Sequence, residues 1–305
     1  MKFPKKCPLC FYKQKKPKIV SSKIYGDSKR KRVFFLCKNC DVRYLYPQLN
    51  PREEKLFYKK EFEFFMNKRS GQSSGWLKAE QHIKQNVATF RRRLKYIKPR
   101  LSRSDSILEV GCSSGFMLYP FFKKGHDCMG IEPSGVFSNF VKKKGIRIYD
   151  SLKKLNYKEK KKFNLIFHFF VLEHVSNPIK FLKEQLSALK QGGKIIFEIP
   201  NVADPLHALY KIPAFENFYW SIAHHWYFSE KSLKFLLEKI GKPYKIILDQ
   251  RYDLSNHMIW ARDGKPGGMG RFKKILGSGI ESSYKKLLIK SGACDTLIGI
   301  IGQTN

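Results

Sequence analysis

The sequence has little negative charge: 25 Asp and Glu residues stand against 60 Lys and Arg residues, which leaves a formal net charge of +35 over 305 residues. It lacks any apolar run near the roughly 20 residues that a membrane-spanning helix requires. The start is positively charged, but no apolar stretch follows it, so we expect neither a signal peptide nor a transmembrane segment. We therefore expect a cytoplasmic protein. The composition also excludes a collagen, a coiled coil and a disulfide scaffold.

What is present is typical of a globular protein, since 42% of the residues are hydrophobic and 14% aromatic. The excess of Lys and Arg favours anionic partners such as nucleic acid, phosphorylated sugars or an acidic membrane surface. A general lysine bias of the genome explains the same excess, because lysines occur in every segment. Residues 1–60 are the most unbalanced, with 18 Lys and Arg against 4 Asp and Glu.

Four of the seven cysteines lie in the first 40 residues, as two C-x2-C pairs separated by 26 residues. In a reducing compartment, we interpret paired cysteines as metal ligands in preference to disulfides. Two such turns complete a tetrahedron of thiolates, which predicts a structural Zn²⁺. The predicted ligands are Cys7, Cys10, Cys37 and Cys40. The spacer accommodates a β-hairpin of Lys18–Tyr25 and Arg32–Leu36. Unrelated cysteines or a redox pair are the alternative explanations.

From Ser106 onward, short apolar runs alternate with helical stretches, a pattern typical of βα units and a parallel sheet. We predict a doubly wound, mostly parallel α/β sheet of seven strands. The predicted strands are Ile107–Val110, Cys128–Glu132, Ile146–Tyr149, Leu165–His168, Lys194–Ile199, Lys245–Asp249 and Thr296–Ile301. Helix-end signals predict one helix from Asn177-Pro178 to Gly192 and another from Ser229 to Gly241.

A turn of small residues follows the first of these strands. The strand ends at Val110, the turn occupies Gly111 to Gly115, and a helix is predicted to begin near Phe116. Small residues let the backbone approach a ligand closely. The next strand closes on Glu132, 21 positions after Gly111, and a carboxylate at that place accepts both hydroxyls of a ribose.

The pattern acid-x-Gly-x-(Gly/Ser)-x-Gly resembles the first motif of class I S-adenosylmethionine-dependent methyltransferases. The resemblance implies a Rossmann-like fold and a turn that faces the methionine part of the cofactor. It also implies that Glu109 supports the turn, that Glu132 binds the ribose and that Asp150 lies near the adenine. An Asp that opens a helix is also an ordinary N-cap. The implied cofactor-binding residues are Glu109, Gly111, Ser113, Gly115, Glu132 and Asp150.

After the fourth strand, the string Leu172-Glu173-His174-Val175 is similar to a large methyltransferase subgroup that acts on sugars, quinones and other small molecules. Because the carboxyl ends of parallel strands border the ligand crevice, we expect this string at the mouth of the site. His174 is open to three interpretations: a base, a residue lining the site, or a cap of the turn. Some relatives bind a metal through an additional upstream Glu. Phe170 stands at that position, so no catalytic metal is expected.

Further along the chain, a His followed by an aromatic pair and a Ser-capped helix again resembles this subgroup. A sugar hydroxyl has a high pKa, so a neutral His would take its proton as the new bond forms. An ordinary His pKa of about 6.5 keeps much of the imidazole neutral. The candidate bases, in order, are His224, His225 and His174. The neighbouring Tyr219, Trp220 and Trp226 stack on a sugar ring or a base, or belong to the core.

Over nearly the whole chain, the sequence resembles bacterial methyltransferases with an attached zinc module, which are associated with surface polysaccharide or sugar-nucleotide modification. We predict a zinc ribbon over 1–50, a helical linker over 51–100 and a methyltransferase domain over 101–305. Insertions are expected at about 201–228 and 256–290, and Arg262–Gly279 is expected to be a loop or lid. The expected reaction methylates a hydroxyl or carbon of a sugar, a sugar nucleotide or a polysaccharide intermediate.

The main rival hypothesis is an RNA methyltransferase whose ribbon and positive charge bind phosphates. Three basic runs favour it superficially, although such runs are more often solvated faces. These runs are Arg91-Arg92-Arg93, Lys142-Lys143-Lys144 and Lys160-Lys161-Lys162. Peripheral contact with an anionic membrane and a non-enzymatic scaffold are the remaining alternatives.

Overall fold

A computed structural model describes residues 3–28, 31–71, 78–102, 104–158 and 162–302. Its centre is a seven-stranded sheet whose apolar side chains form the main core. The neighbour order of its strands is β10-β11-β8-β7-β4-β5-β6. These strands are β4 Ser106–Val110, β5 Asp127–Ile131, β6 Arg147–Tyr149, β7 Phe163–Phe169, β8 Leu189–Pro200, β10 Tyr244–Asp249 and β11 Thr296–Ile301.

Within this sheet, the strands β4 to β8 pair in parallel, and β11 runs antiparallel to its two neighbours, β8 and β10. The sheet order reverses beside β4, where the chain crosses from one half of the sheet to the other. Ligand crevices form at the carboxyl ends of strands at such a point. The predicted α/β class and the seven-stranded, mostly parallel sheet are therefore confirmed.

Helices cover both faces of this sheet and fill the region before it. In the first half of the chain they are α1 Pro51–Leu56, a π-helical turn Phe57–Glu61, α2 Phe62–Ser70, α3 Ala79–Gln85, α4 Val87–Ile97, a 3-10 turn Lys98–Arg100, α5 Tyr119–Phe122, α6 Gly135–Lys143 and α7 Leu152–Lys158. The second half contains a 3-10 turn Leu172–His174, α8 Pro178–Ala188, α9 Pro205–Ala208, α10 Pro213–Tyr219, α11 Glu230–Ile240, α12 Leu254–Asp263 and α13 Lys273–Lys290.

Two predicted helix starts are confirmed by their caps. The Asn177 side chain accepts a hydrogen bond from the backbone N–H of Lys180, and Ser229 accepts one from Ser232. Gly241 ends α11 in the left-handed conformation, with φ of 68°. A glycine adopts this conformation without the steric cost of a Cβ atom.

Three predicted boundaries are wrong. The helix after the small-residue turn begins at Tyr119 rather than near Phe116, and Pro120, which lacks an N–H, occupies its first turn. Helix α8 ends at Ala188, so Gly192 lies inside β8. The expected loop over Arg262–Gly279 is shorter, because α12 continues to Asp263 and α13 begins at Lys273.

The N-terminal module is a second, antiparallel sheet in the order β1-β2-β3-β9. The strands β1 Lys18–Ser21 and β2 Val33–Leu36 form the predicted hairpin, and β3 Arg43–Tyr46 extends it. The fourth strand, β9 Trp226–Tyr227, comes from the predicted insertion of the methyltransferase domain and pairs with β3. The module is therefore joined to the segment that follows His224 and His225.

Candidate functional site

The turn after β4 has the backbone of a ligand cradle. Gly111, Ser113 and Gly115 all have positive φ, at 71°, 43° and 73°. The N–H groups of Gly111 and Cys112 donate to the carbonyl of Ile131, at 2.8 and 3.1 Å, which holds the turn against β5. A Cβ atom on Gly111 would lie 2.6 Å from Cγ2 of Val171. The turn therefore has no room for a side chain at its first position.

Glu132 lies beside this turn, directly after β5, and its side chain is buried. Its carboxylate accepts the backbone N–H of Ser113 at 2.7 Å and that of Ser134 at 2.9 Å. Burial raises the pKa of Glu132 to about 7, against the opposite effect of these two hydrogen bonds. The carboxylate is thus held at the edge of the turn, as expected for a group that accepts hydroxyls.

The other two acidic residues of the predicted cofactor site differ in their surroundings. Glu109 is buried in β4, and burial raises its pKa well above the usual range. Its Oε2 has no hydrogen-bond partner among the described residues. Asp150 follows β6 in an exposed position, and its carboxylate lies 2.6 Å from the ammonium of Lys154.

His82 and Ser114 form a contact at the turn that sequence analysis missed. His82 Nδ1 of α3 lies 2.8 Å from the Ser114 hydroxyl. Burial lowers the pKa of His82 to about 4, which leaves the imidazole neutral. The pattern of α3 carries no signal for this pairing, because the two residues meet only when the helical linker folds over the turn.

A second group of polar side chains gathers at the carboxyl end of β7. Ligand atoms of Glu173, His174 and His224 all lie within 4.8 Å of one another. His174 Nε2 is 3.8 Å from Glu173 Oε1, and the His174 and His224 rings are 4.7 Å apart, edge to face. Two of the three predicted bases are therefore neighbours, although 49 residues separate them in the sequence.

His174 has a defined orientation. Its Nδ1 lies 2.8 Å from the carbonyl oxygen of Ala223 and 2.9 Å from the hydroxyl of Tyr58. Because a carbonyl only accepts, the proton is on Nδ1 and the lone pair is on Nε2, on the side of Glu173. Phe62 packs edge-on against the same ring. The helical linker thus covers His174, a role for Tyr58 and Phe62 that the sequence does not indicate.

Burial determines the charge of this group. It lowers the pKa of His174 to about 3 and that of His224 well below the usual range, and it raises the pKa of Glu173 to about 8. Both imidazoles are therefore neutral at neutral pH. A low pKa also makes an imidazole a weaker proton acceptor.

His225 lies apart from this pair. Its backbone N–H donates to the Glu173 carbonyl at 2.8 Å, and its own carbonyl accepts the N–H of Leu45 from β3 at 2.9 Å. Both ring nitrogens are buried and have no partner within the described residues. Burial, reinforced by the nearby Arg32, lowers the pKa of His225 to about 4. The structure therefore links this residue to the N-terminal module.

The aromatic residues of the insertion belong to the core. Tyr219, Trp220 and Trp226 expose 5%, 1% and 1% of their surface. Trp226 donates its indole N–H to the carbonyl of Val175 at 2.8 Å. Of the two interpretations that the sequence leaves open, packing in the core is the one that applies in this structure.

Two of the arginines in the first basic run are also internal. Arg93 donates to Glu198 at 2.9 Å, and Arg92 bridges Glu198 and Asp249 at 2.5 and 2.6 Å. Their charges are therefore neutralised inside the protein rather than presented to phosphates. Lys160 and Lys161 of the third run lie outside the described residues.

The four N-terminal cysteines converge. All their sulfur atoms lie within 4.8 Å of one another, with Cys7 and Cys40 at 3.9 Å and Cys10 and Cys37 at 3.5 Å. A tetrahedron of Zn–S bonds of about 2.3 Å separates its sulfurs by about 3.8 Å. The residue after each pair, Phe11 or Asp41, has a φ near 60°. Phe11 and Asp41 thus adopt the left-handed backbone conformation that glycine commonly supplies after such a cysteine pair.

Comparison with known proteins agrees with this geometry. The profile of a methyltransferase domain family matches residues 80–242, more than half of the chain. A ubiquinone biosynthesis O-methyltransferase of Coxiella burnetii (strain Dugway 5J108-111) is 28% identical over 116 residues, covering 36% of this chain and 50% of that protein. A tRNA U34 carboxymethyltransferase of Helicobacter acinonychis (strain Sheeba) is 32% identical over 122 residues, covering 36% and 46%. The chain thus spans about half the length of the curated relatives it matches.

Solved structures share the fold. A SAM-dependent methyltransferase from Archaeoglobus fulgidus superposes with a TM-score of 0.52 at 17% identity, over 80% of this chain and all of that one. A SAM-dependent methyltransferase from Thermotoga maritima gives 0.50 at 19% identity, over 80% and 98%. In the parts of the chain that the structure describes, no helix has the length and apolar character needed to cross a membrane. The chain belongs to the methyltransferase domain family.

Proposed function

We propose that this enzyme methylates a hydroxyl or carbon of a small molecule, and that the acceptor is a sugar, a sugar nucleotide or a polysaccharide intermediate. The observation that carries this proposal is the pair of neutral imidazoles, His174 and His224, at the carboxyl end of β7. A hydroxyl acceptor has a high pKa and loses a proton during the transfer, so a proton acceptor beside it is needed.

The cofactor supplies a methyl group that its sulfonium charge has already activated. We propose that the turn from Gly111 to Gly115 cradles the methionine part, with Glu109 beneath it. The Glu132 carboxylate would accept the ribose hydroxyls. We place Asp150 near the adenine; its exposed carboxylate lies 2.6 Å from the ammonium of Lys154.

We assign proton acceptance to His224 first, then to His225 and His174. His224 Nδ1 is buried and has no partner in the described part of the chain, so it is available to an acceptor hydroxyl. Holding the hydroxyl and the methyl group in line removes much of the entropic cost of the reaction. The hydroxyl proton would pass to the imidazole as the new C–O bond forms.

We further propose that the four N-terminal cysteines bind one structural Zn²⁺. Four thiolates leave no open coordination position, so the ion would stabilise the module rather than react. The module in turn supports the candidate base, because β3 pairs with β9 and the Leu45 N–H of β3 donates to the His225 carbonyl. Zinc would then influence activity indirectly, through the position of the loop at 223–225.

RNA remains the second candidate acceptor. It is favoured by the exposed lysines of the N-terminal module and by similarity to a tRNA-modifying enzyme. Against it, Arg92 and Arg93 bind internal carboxylates.

The test measures transfer of labelled methyl groups to nucleotide sugars, quinols and tRNA at low and moderate salt. Turnover on a nucleotide sugar with little salt dependence supports the proposal. Transfer to tRNA that falls steeply with salt, as expected for phosphate contacts, overturns the sugar assignment.

A further inference from the structure

Two arginines near the candidate bases form no ion pair with any carboxylate in the described part of the chain. Arg69 lies in the last turn of α2, and Arg251 follows the end of β10 by two residues. The strand register places the carboxyl ends of β8 and β10 at the same edge of the sheet, where a ligand crevice is expected. The Nε atoms of both guanidiniums are buried and have no hydrogen-bond partner among the described residues.

Arg69 is held by an aromatic ring and by backbone carbonyls. Its guanidinium lies 4.4 Å from the centre of the Phe218 ring. Its Nη2 donates to the carbonyl oxygens of Phe218 and Tyr219 at 3.1 and 3.5 Å. These contacts fix the position of the guanidinium but supply no negative charge.

Arg251 is held between two rings. Its guanidinium lies 4.4 Å from the ring centre of Phe170 and 4.4 Å from that of Tyr252. Phe170 has a φ of 56°, in the left-handed region that a bulky residue rarely adopts, and its N–H donates to the carbonyl of Glu198 at 2.8 Å. Backbone strain of this kind clusters at ligand sites. Phe170 also begins the turn that carries His174, so the second arginine packs directly against the candidate active site.

The charges of the two arginines act on the buried group at the end of β7. Burial lowers the pKa of His174 and of His224, and the charge of Arg69 lowers both further. Burial raises the pKa of Glu173, and the charge of Arg251 opposes that rise. Burial also lowers the pKa of Arg69, and Arg251 adds to this effect. Because such effects require charges to be close, the two guanidiniums lie near each other and near the site.

The carboxylates around Arg251 are either protonated or bound to other groups. Burial raises the pKa of Glu173 and that of Asp204 to about 8, so both are mostly protonated at neutral pH. Glu198 binds the two arginines of α4. Asp295 accepts backbone N–H groups at 2.9 Å. Since a buried charge without a partner is unfavourable, the two arginines favour a ligand that brings negative charge.

We propose that Arg69 and Arg251 bind a phosphate or diphosphate group of the acceptor, which makes the acceptor a phosphorylated sugar or a sugar nucleotide rather than a neutral molecule. This inference rests on the proposed function, because it names the acceptor class for the same site. A guanidinium donates paired hydrogen bonds to phosphate oxygens. A phosphate offers enough oxygens to accept from two guanidiniums at once, whereas a carboxylate has only two.

A small phosphorylated molecule fits this place better than RNA does. Both arginines are half-buried and packed against aromatic rings, whereas the lysines and arginines that bind RNA phosphates lie on the surface. A phosphate bound between them would hold the attached sugar beside His224, the first candidate base. The two arginines are therefore proposed as residues that position the acceptor.

Calorimetry on the full chain tests the site without methyl transfer. The probes are inorganic pyrophosphate, glucose 1-phosphate and uridine diphosphate glucose, and glucose is the neutral control. Wild-type protein should bind at least one phosphorylated probe at least about 10-fold more tightly than glucose, since hydrogen bonds to charged groups are the stronger ones.

Variants of the two arginines assign the binding. Arg69→Gln and Arg251→Gln should each weaken binding of the phosphorylated probe by about 10–100-fold. Arg91→Gln, which changes an exposed arginine of α4, should bind the probe as wild type does. Circular dichroism and melting curves show which variants fold. Arg69→Lys and Arg251→Lys, which keep the charge but lose the paired donors, replace a glutamine variant that does not fold and should weaken binding by about 5–10-fold.

The affinity for S-adenosylmethionine separates the acceptor from the cofactor. It should stay within about two-fold of wild type in the variants, because the proposed cofactor-binding residues lie elsewhere. If the variants lose affinity for S-adenosylmethionine and not for the probe, the arginines bind the carboxylate of the cofactor and the proposal is wrong.

Three further results would overturn the proposal. Folded wild-type protein binds no phosphorylated probe more tightly than glucose, or the folded variants bind the probe as wild type does. The third is binding of tRNA that depends on both arginines, without binding of the small probes. Turnover on a neutral sugar without binding of any phosphorylated probe contradicts this inference alone. Probe binding without methyl transfer to any sugar contradicts the proposed function alone.

Discussion

The Nδ1 of His174 lies 2.8 Å from the carbonyl oxygen of Ala223, the residue immediately before His224. This hydrogen bond joins the turn after β7 to the loop that carries the other candidate base. It also directs the free lone pair of His174 toward Glu173.

Replacing His224 with Ala should reduce kcat by roughly 10²–10⁴-fold, the usual contribution of a positioned proton acceptor. The affinity for S-adenosylmethionine should stay within about two-fold of wild type, because the proposed cofactor-binding residues lie in β4 and directly after β4, β5 and β6, away from the loop of His224. Steady-state kinetics measures kcat, and calorimetry measures the Kd for S-adenosylmethionine. His126→Ala, outside the site, is the matched control. Unchanged turnover in a folded His224→Ala protein would remove this residue from the mechanism.

The affinity for the cofactor should depend on pH through Glu132. Burial raises its pKa to about 7, so the carboxyl is protonated below that pH and ionised above it. The groups around it are the N–H groups of Ser113 and Ser134 and the carboxyl of Glu63. Since ribose hydroxyls donate to the ionised form, Kd should fall as the pH rises from 6 to 8.

Glu132→Gln provides the comparison for this pH profile. Its Kd should be higher throughout and should lose the dependence near pH 7, because the amide does not titrate. Calorimetry at a series of pH values measures both proteins. A wild-type Kd that is constant over this range would contradict the role assigned to Glu132.

Gly111→Ala should destabilise the protein by about 2–5 kcal/mol. The positive φ of 71° costs a non-glycine residue about 1–2 kcal/mol, and the Cβ contact with Val171 at 2.6 Å adds about 1–3 kcal/mol. Adding Val171→Ala should recover the stability that the Cβ contact costs. The stability that the positive φ costs should remain lost. Denaturant unfolding of the two single variants and the double variant measures the coupling. Strict additivity would show that the two residues do not touch.

Cys37→Ser should abolish zinc binding and lower Tm by roughly 5–10 °C, since about 1 kcal/mol shifts Tm by about 2–4 °C in a domain of similar size. Because β3 contacts the chain at His225, turnover should fall as well. Elemental analysis, calorimetric melting and kinetics test these expectations. Cys128→Ser is the control, since Cys128 lies in β5 and outside the cysteine cluster. One zinc per chain in the Cys37→Ser protein would argue against the site.

The central sheet and the turn beside it could be predicted from local sequence patterns. Alternating apolar runs predict the seven strands, because a buried parallel strand requires apolar side chains on both faces. Gly111 and Gly115 signal the backbone conformation that side chains disfavour, and the spacing to Glu132 follows from one βα unit. The two C-x2-C pairs likewise predict their own convergence, because each pair supplies two thiolates and one Zn²⁺ takes four.

Which polar groups meet depends on how distant segments pack together. Tyr58 and Ala223 contact His174 although they lie 116 and 49 residues from it in the sequence. The pairing of β9 with the N-terminal sheet places Trp226 beside Tyr44, which is farther away still in the sequence. Local sequence patterns do not indicate such contacts. The free energy that stabilises these contacts comes from burying whole segments against one another. The same burial lowers the pKa of His174 and His224 and keeps both imidazoles neutral. Sequence spacing does not indicate this effect.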